Sequence, residues 1–134
     1  MKDFCKNSPA LARMSKKLNK IALAVARAEK AKGSISVVLV RDAVIRPLNK
    51  KFRKLDRTTD VLSFEMGEEG ILGEIVISFE TAKRNARRFQ VELKEELKRL
   101  AVHGALHLAG YDHQSKSDRM LMREKEDRYA KKIS

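Results

Sequence analysis

Apolar positions recur at helical spacing over residues 10–32, at Leu11, Met14, Leu18, Ile21, Ala22 and Val25. The Lys and Arg residues of that segment fall on its other faces, so it predicts an amphipathic helix with a solvated side. Ser8 is placed to cap it, Pro9 to open its first turn and Gly33 to stop it. Residues 35–40 form a β-branched run that reads as a strand buried on both faces. Asp42 then caps a helix reaching to about Lys54. Pro47 fits only the first turn of such a helix, so the helix starts late, near Arg46, or is kinked. Two further strands are predicted at 61–65 and 73–78, with Gly67 and Gly70 in the connection between them. Helices follow at 81–89 and 92–109, the second closed by Gly110, and a last amphipathic helix runs over 117–132. Early strands followed by grouped helices give an α+β fold, a small sheet packed with several helices.

Composition sharpens this picture at a few points. The 134 residues read as one domain over residues 1–134, and 43% hydrophobic residues suffice for a core without disulfides. Cys5 is the single cysteine, which fits a reducing compartment. The opening residues contain no apolar core of a signal peptide, and no apolar run is long enough to span a bilayer. A cytoplasmic location with no membrane partner is the expectation. Lys and Arg outnumber Asp and Glu by 30 to 18, a net charge of +12, which favours a polyanionic partner, nucleic acid before anionic membrane. Trp is absent and aromatics make up 5%, so contacts to phosphate and shape are expected in preference to a base-stacking platform.

The histidines carry the chemistry. All 3 fall in one short stretch: His103, His107 and His113. His103 and His107 are i and i+4 and share one helix face. Gly110 lets the chain leave the helix, so that His113 can fold back toward the first two. Residues 100–109 are otherwise apolar all round, which predicts a buried helix and favours neutral imidazole, the ligand form. Three imidazoles at this spacing suit one zinc ion per chain, and nickel, copper or iron are also compatible. Three protein ligands leave a position for water, as in catalytic sites; a closed structural site would need a fourth ligand, Asp112 or the remote Cys5. Zinc peptidases of the HExxH type carry a glutamate directly after the first histidine, where this chain has Gly104.

A second cluster is basic. Residues 46–57 hold Arg46, Lys50, Lys51, Arg53, Lys54 and Arg57 against Asp56 alone. A guanidinium offers a bidentate contact to a phosphate that develops charge during cleavage. By itself Arg53 reads as a surface residue or as an ion-pair partner of Asp60 in preference to a phosphate contact. Asp112 either orients a ligand imidazole or caps the turn, Tyr111 reads as packing, and Ser63 as structural or else as facing the cleft.

These stretches resemble the YbeY family of bacterial metal-dependent endoribonucleases. Residues 103–113 match the family pattern H-G-x-L-H-L-x-G-Y-D-H at every fixed position. Residues 48–64 resemble L-N-x-x-Y/F-R-x-x-D/N-x-x-T-D-V-L-S-F, and residues 72–78 resemble L-G-D-I-x-I-S, with Glu74 in place of the aspartate. Met120 and Glu124 stand near the positions of a family methionine and glutamate. The resemblance covers about residues 35–127. It implies an α+β fold with a small mixed sheet around a cleft that holds the metal. It implies zinc bound by His103, His107 and His113, and a phosphate contact from Arg53, making Arg53 and His103 the candidate catalytic residues. It further implies single-stranded ribosomal RNA as substrate and the small ribosomal subunit as partner. The expected activity is therefore zinc-dependent single-strand endoribonuclease action in maturation of the 3′ end of small-subunit ribosomal RNA and in ribosome quality control. The rival expectations are a ribosome-binding module with structural zinc and a zinc peptidase.

Overall fold

The computed structural model describes residues 8–111 and 115–132. In chain order the elements are α1 (Pro9–Ala28), β1 (Ser34–Val40), α2 (Asp42–Arg53), β2 (Val61–Glu65), β3 (Ile71–Ser78), α3 (Phe79–Phe89), α4 (Leu93–Leu108) and α5 (Lys116–Lys132). The sheet has strand order β1-β3-β2, with β1 parallel and β2 antiparallel to the central β3. It is the small mixed sheet of an α+β fold.

Alternation along the strands distributes helices to the two faces. Ile35, Val37 and Leu39 of β1 join Ile75 and Ile77 of β3 in the larger core, with α1, α4 and Met122 and Tyr129 of α5. Val40, Leu62 and Val76 point the other way and pack under Ile45 of α2. Helix α4 is enclosed by the sheet and by α1, α3 and α5, which is why its second half, from Leu100 on, is apolar all round apart from the histidines. Burial of β1 is graded: its inward residues are buried, whereas on the second face Ser34 and Ser36 are exposed, Val38 is half-buried against the smaller cluster and Val40 is buried. The expectation of a strand buried on both faces over 35–40 thus fails in its first half, at Ser36, because α2 covers only the C-terminal half, Val38 and Val40. The outer edge of β1 is met at Val37 by α1: Ser15 Oγ donates to the Val37 carbonyl at 2.8 Å, and Asn19 Oδ1 accepts from the Val37 amide.

Local chemistry sets the element ends. Ser8 caps α1, its Oγ accepting from the Leu11 amide at 3.3 Å, with Pro9 in the first turn. The helix stops at Ala28, before the expected Gly33, because Lys30 takes a left-handed conformation (φ 64°) and turns the chain. Helix α2 begins at Asp42 and runs through Pro47, neither starting late nor with Asp42 as its cap, which is Arg41. Pro47 and Ala43, whose carbonyl loses its helical partner at the proline, are both exposed, so that carbonyl is open to solvent and the proline is tolerated inside the helix. The Asp42 side chain instead ties three elements together. Its carboxylate accepts from Thr58 at 2.9 Å, Ser78 at 2.5 Å, Thr81 at 2.7 Å and Arg84 at 2.7 Å. Burial alone would raise this carboxyl, but those four hydrogen bonds outweigh it and hold it well below the usual carboxylate range. Among the described residues no helix is long and apolar enough to cross a membrane.

Candidate metal and RNA cleft

The site begins with how closely α4 lies on the sheet. At Gly104 a Cβ would sit 2.7 Å from Ile75 Cγ2 and 3.0 Å from Ser63 Oγ. Ser63 Oγ donates to the Gly104 carbonyl at 3.2 Å, so the hydroxyl joins β2 to the histidine helix, as its structural reading requires. The close approach leaves no room for any side chain at 104, and this is the position where HExxH peptidases carry their glutamate. His103 and His107 flank Gly104 on the helix, half-buried, and both line a cleft of about 720 Å³. The opposite wall is β2 with its lead-in, from Thr59 to Glu65, and the rim is Phe52 and Arg53 at the end of α2. Lys54, left-handed at φ 60°, turns the chain away directly after Arg53.

A carboxylate supports the first histidine. His103 Nδ1 lies 2.9 Å from Glu126 Oε1 of α5, with Glu126 only 14% exposed. An Nδ1–H donated to that oxygen fixes the tautomer with its lone pair on Nε2, the arrangement found behind metal-binding histidines. Glu126 was not among the residues singled out from the sequence. Glu126 falls on the inward stripe of α5 with Met122 and Tyr129, but exposed Asp118 shares that spacing, so the periodicity alone does not single it out. Of the residues placed by family likeness, Glu124 is instead exposed and pairs with Arg128 at 3.3 Å, and Met120 is exposed while Met122 is buried. Glu74 sits on β3 outside the cleft lining.

Asp60 lines the cleft too, but its partners are Asn85 at 3.1 Å and Arg99 at 3.9 Å. Arg99 also bonds both oxygens of buried Glu96, at 2.9 and 2.7 Å, and lies 3.9 Å from Glu126. The pairing of Arg53 with Asp60 is therefore not made. Asp56 takes Arg46 at 3.1 Å and Lys50 at 4.0 Å, whereas among the described residues no carboxylate pairs with Lys51, Arg53, Lys54 or Arg57. Positive charge at the cleft rim is thus left for an outside anion.

The C-terminal end of α4 closes as a glycine turn: the Gly110 amide donates to the His107 carbonyl at 3.1 Å and the Tyr111 amide to that of Leu106 at 3.0 Å. Gly110 takes φ 107°, a conformation that favours glycine. Tyr111 does more than pack. Its hydroxyl donates to Glu29 Oε1 at 2.6 Å, and Glu29 also accepts from Tyr129 and from Lys125 at 3.2 Å. This anchors the exit of the histidine helix to α1 and α5. Asp112, His113 and Cys5 lie outside the described residues. Among the described residues no three His, Cys, Asp or Glu side chains are grouped to hold an ion. Two imidazoles on one face, one backed by a carboxylate, are nonetheless the donor chemistry that a divalent transition ion takes.

The family model described as "Endoribonuclease YbeY" matches residues 4–134 of this chain. The chain belongs to the endoribonuclease YbeY family. Among curated members it is 56% identical over 84 residues to the Aquifex aeolicus protein, covering 60% of this chain and 56% of that one. It is 47% identical over 102 residues to the Pelotomaculum thermopropionicum protein, 69% of this chain and 67% of that one. With the Flavobacterium psychrophilum protein it shares 38% identity over 112 residues, 82% of this chain and 79% of the relative. The aligned region thus spans a little over half the length of the Aquifex relative (56%). The fold is similar to the solution structure of TM1509 from Thermotoga maritima, with TM-score 0.63, 36% identity, and coverage of 96% of this chain and 83% of that one.

Proposed function

We propose that this chain is a zinc-dependent endoribonuclease that cuts single-stranded ribosomal RNA precursors in the cytoplasm, at the 3′ end of small-subunit RNA and in ribosome quality control. The observation that carries the reading is the meeting of Arg53 with His103 and His107 in one cleft, from motifs far apart in the chain. His103, His107 and His113 would hold the ion. When bound, zinc supplies Lewis-acid polarisation of a phosphoryl oxygen and lowers the pKa of water. The chain's own residues do the rest. Glu126 keeps the His103 proton on Nδ1 and fixes the ring plane. Arg53, unpaired with any described carboxylate, offers its fork to the scissile phosphate as charge develops there. Lys51, Lys54 and Arg57 hold flanking phosphates. The close packing at Gly104 weighs against a peptidase, since no base can be placed after His103.

The reading is tested by incubating zinc-loaded protein with labelled single-stranded RNA and, separately, with casein, beside a His107→Ala control. RNA cut only by the wild-type chain, with casein intact, is the expected result. Cleaved casein with intact RNA would replace the reading by a peptidase.

A further inference from the structure

The cleft rim carries a group that phosphate chemistry does not use. Phe52 is 56% exposed although it follows an apolar helix face, and its neighbour in the cleft is Arg53. Its ring meets Phe64 edge to face, centroids 5.0 Å apart at 66°, and Phe64 also lines the cleft. The Lys51 ammonium lies 5.3 Å from the same ring. An exposed ring costs solvation unless something covers it, and here it is braced on one side by a second aromatic and flanked by a cation. We infer that Phe52 is a nucleobase-stacking position, taking the base next to the phosphate that Arg53 contacts. The inference rests on the RNA-cleavage reading of the same cleft. Stacking accepts any base, because every base has a π face, but it requires a base free of a helix. Phe52 would thus select single strands without selecting sequence, while Lys51 and Arg53 hold the phosphates on either side. The low aromatic content predicts against a stacking platform; one braced ring beside a basic rim is a smaller device, and it is compatible with that composition.

The test uses the full chain and short single-stranded RNA oligonucleotides, read by binding. The chain has no Trp, so Phe52→Trp introduces a single fluorophore at the rim. Its emission should be quenched on RNA binding, with affinity kept. Phe52→Leu should weaken binding about ten-fold or more, roughly 1.4 kcal/mol. An oligonucleotide with one abasic residue at the stacking position should weaken wild-type binding similarly and add little to Phe52→Leu. Phe52→Leu binding RNA as tightly as wild type, with no quenching in Phe52→Trp, would overturn the stacking position and leave the RNA reading standing. Wild-type protein that binds no RNA would overturn both.

Discussion

Replacing Gly104 by alanine sets two effects against each other. Alanine is the better helix former by about 1 kcal/mol. Against that, its Cβ would stand 2.7 Å from Cγ2 and 3.1 Å from Cδ1 of Ile75. Ile75 is β-branched, fully buried and pinned in the central strand, so it has no low-cost rotamer to move to. Overpacking of this kind costs about 1–3 kcal/mol. The Ser63 hydrogen bond to the Gly104 carbonyl is pushed out as well, at about 1 kcal/mol. The balance is a net loss of roughly 1–3 kcal/mol, some 3–5 °C of Tm for each kcal/mol in a chain of this size. Because α4 must lift from β3 and β2 to relieve the contact, His103 and His107 shift with it and RNA cleavage should fall too. Urea unfolding of Gly104→Ala, Ile75→Ala and the double variant gives the coupling: in the Ile75→Ala background, where the Ile75 clash is gone and only the Ser63 contact at 3.0 Å remains, Gly104→Ala should be close to neutral. A Gly104→Ala protein as stable as wild type, or more so, would refute the close-packing argument.

Other outcomes follow from the same geometry. Glu126→Gln keeps an acceptor but loses the charge behind His103, and zinc affinity by chelator competition should fall about 10- to 100-fold; unchanged affinity would remove Glu126 from the site. Asp42, whose carboxyl is held low in the fold, stabilises the protein fully above its unfolded pKa of about 4, and that contribution is lost as pH falls below it toward the folded-state value. Urea midpoints should therefore drop more steeply between about pH 5 and 3 for wild type than for Asp42→Asn, and equal slopes would contradict the network. RNA affinity should fall with salt by about 0.7 in log units per phosphate contact, and Lys50→Ala, Lys51→Ala and Lys54→Ala combined should flatten that slope; a slope unaltered by the three changes would place the RNA elsewhere.

The sequence was most legible where local pattern and tertiary role agree. The limits of β2 coincide with the strand expected at 61–65, and the apolar second half of α4 is surrounded as its composition demands. For α2 the expected end near Lys54 holds and the late start fails, because Pro47 lies on an exposed face where solvent is available to the freed carbonyl. The end of α1 was misread because a lysine, not a glycine, takes the left-handed turn. In the site, the i, i+4 spacing of His103 and His107 is a local motif, whereas Arg53 is singled out only by the family pattern, since by itself it reads as a surface residue or an ion-pair partner. Glu126 was not legible, since its pairing with His103 depends on how α5 packs across α4, a contact with no sequence period of its own.

The central claim is that this chain cuts RNA through its histidine centre, with Arg53 acting on the phosphate. Its most direct test is cleavage of one labelled single-stranded RNA by wild type, Arg53→Ala and His107→Ala, with zinc content measured on the same preparations. Arg53→Ala should keep its zinc yet cut about ten-fold or more slowly, roughly 1.4 kcal/mol of barrier, with Arg53→Lys recovering only part. His107→Ala should lose zinc and cleavage together. A His107→Ala protein that carries no zinc and still cuts at the wild-type rate would contradict the account.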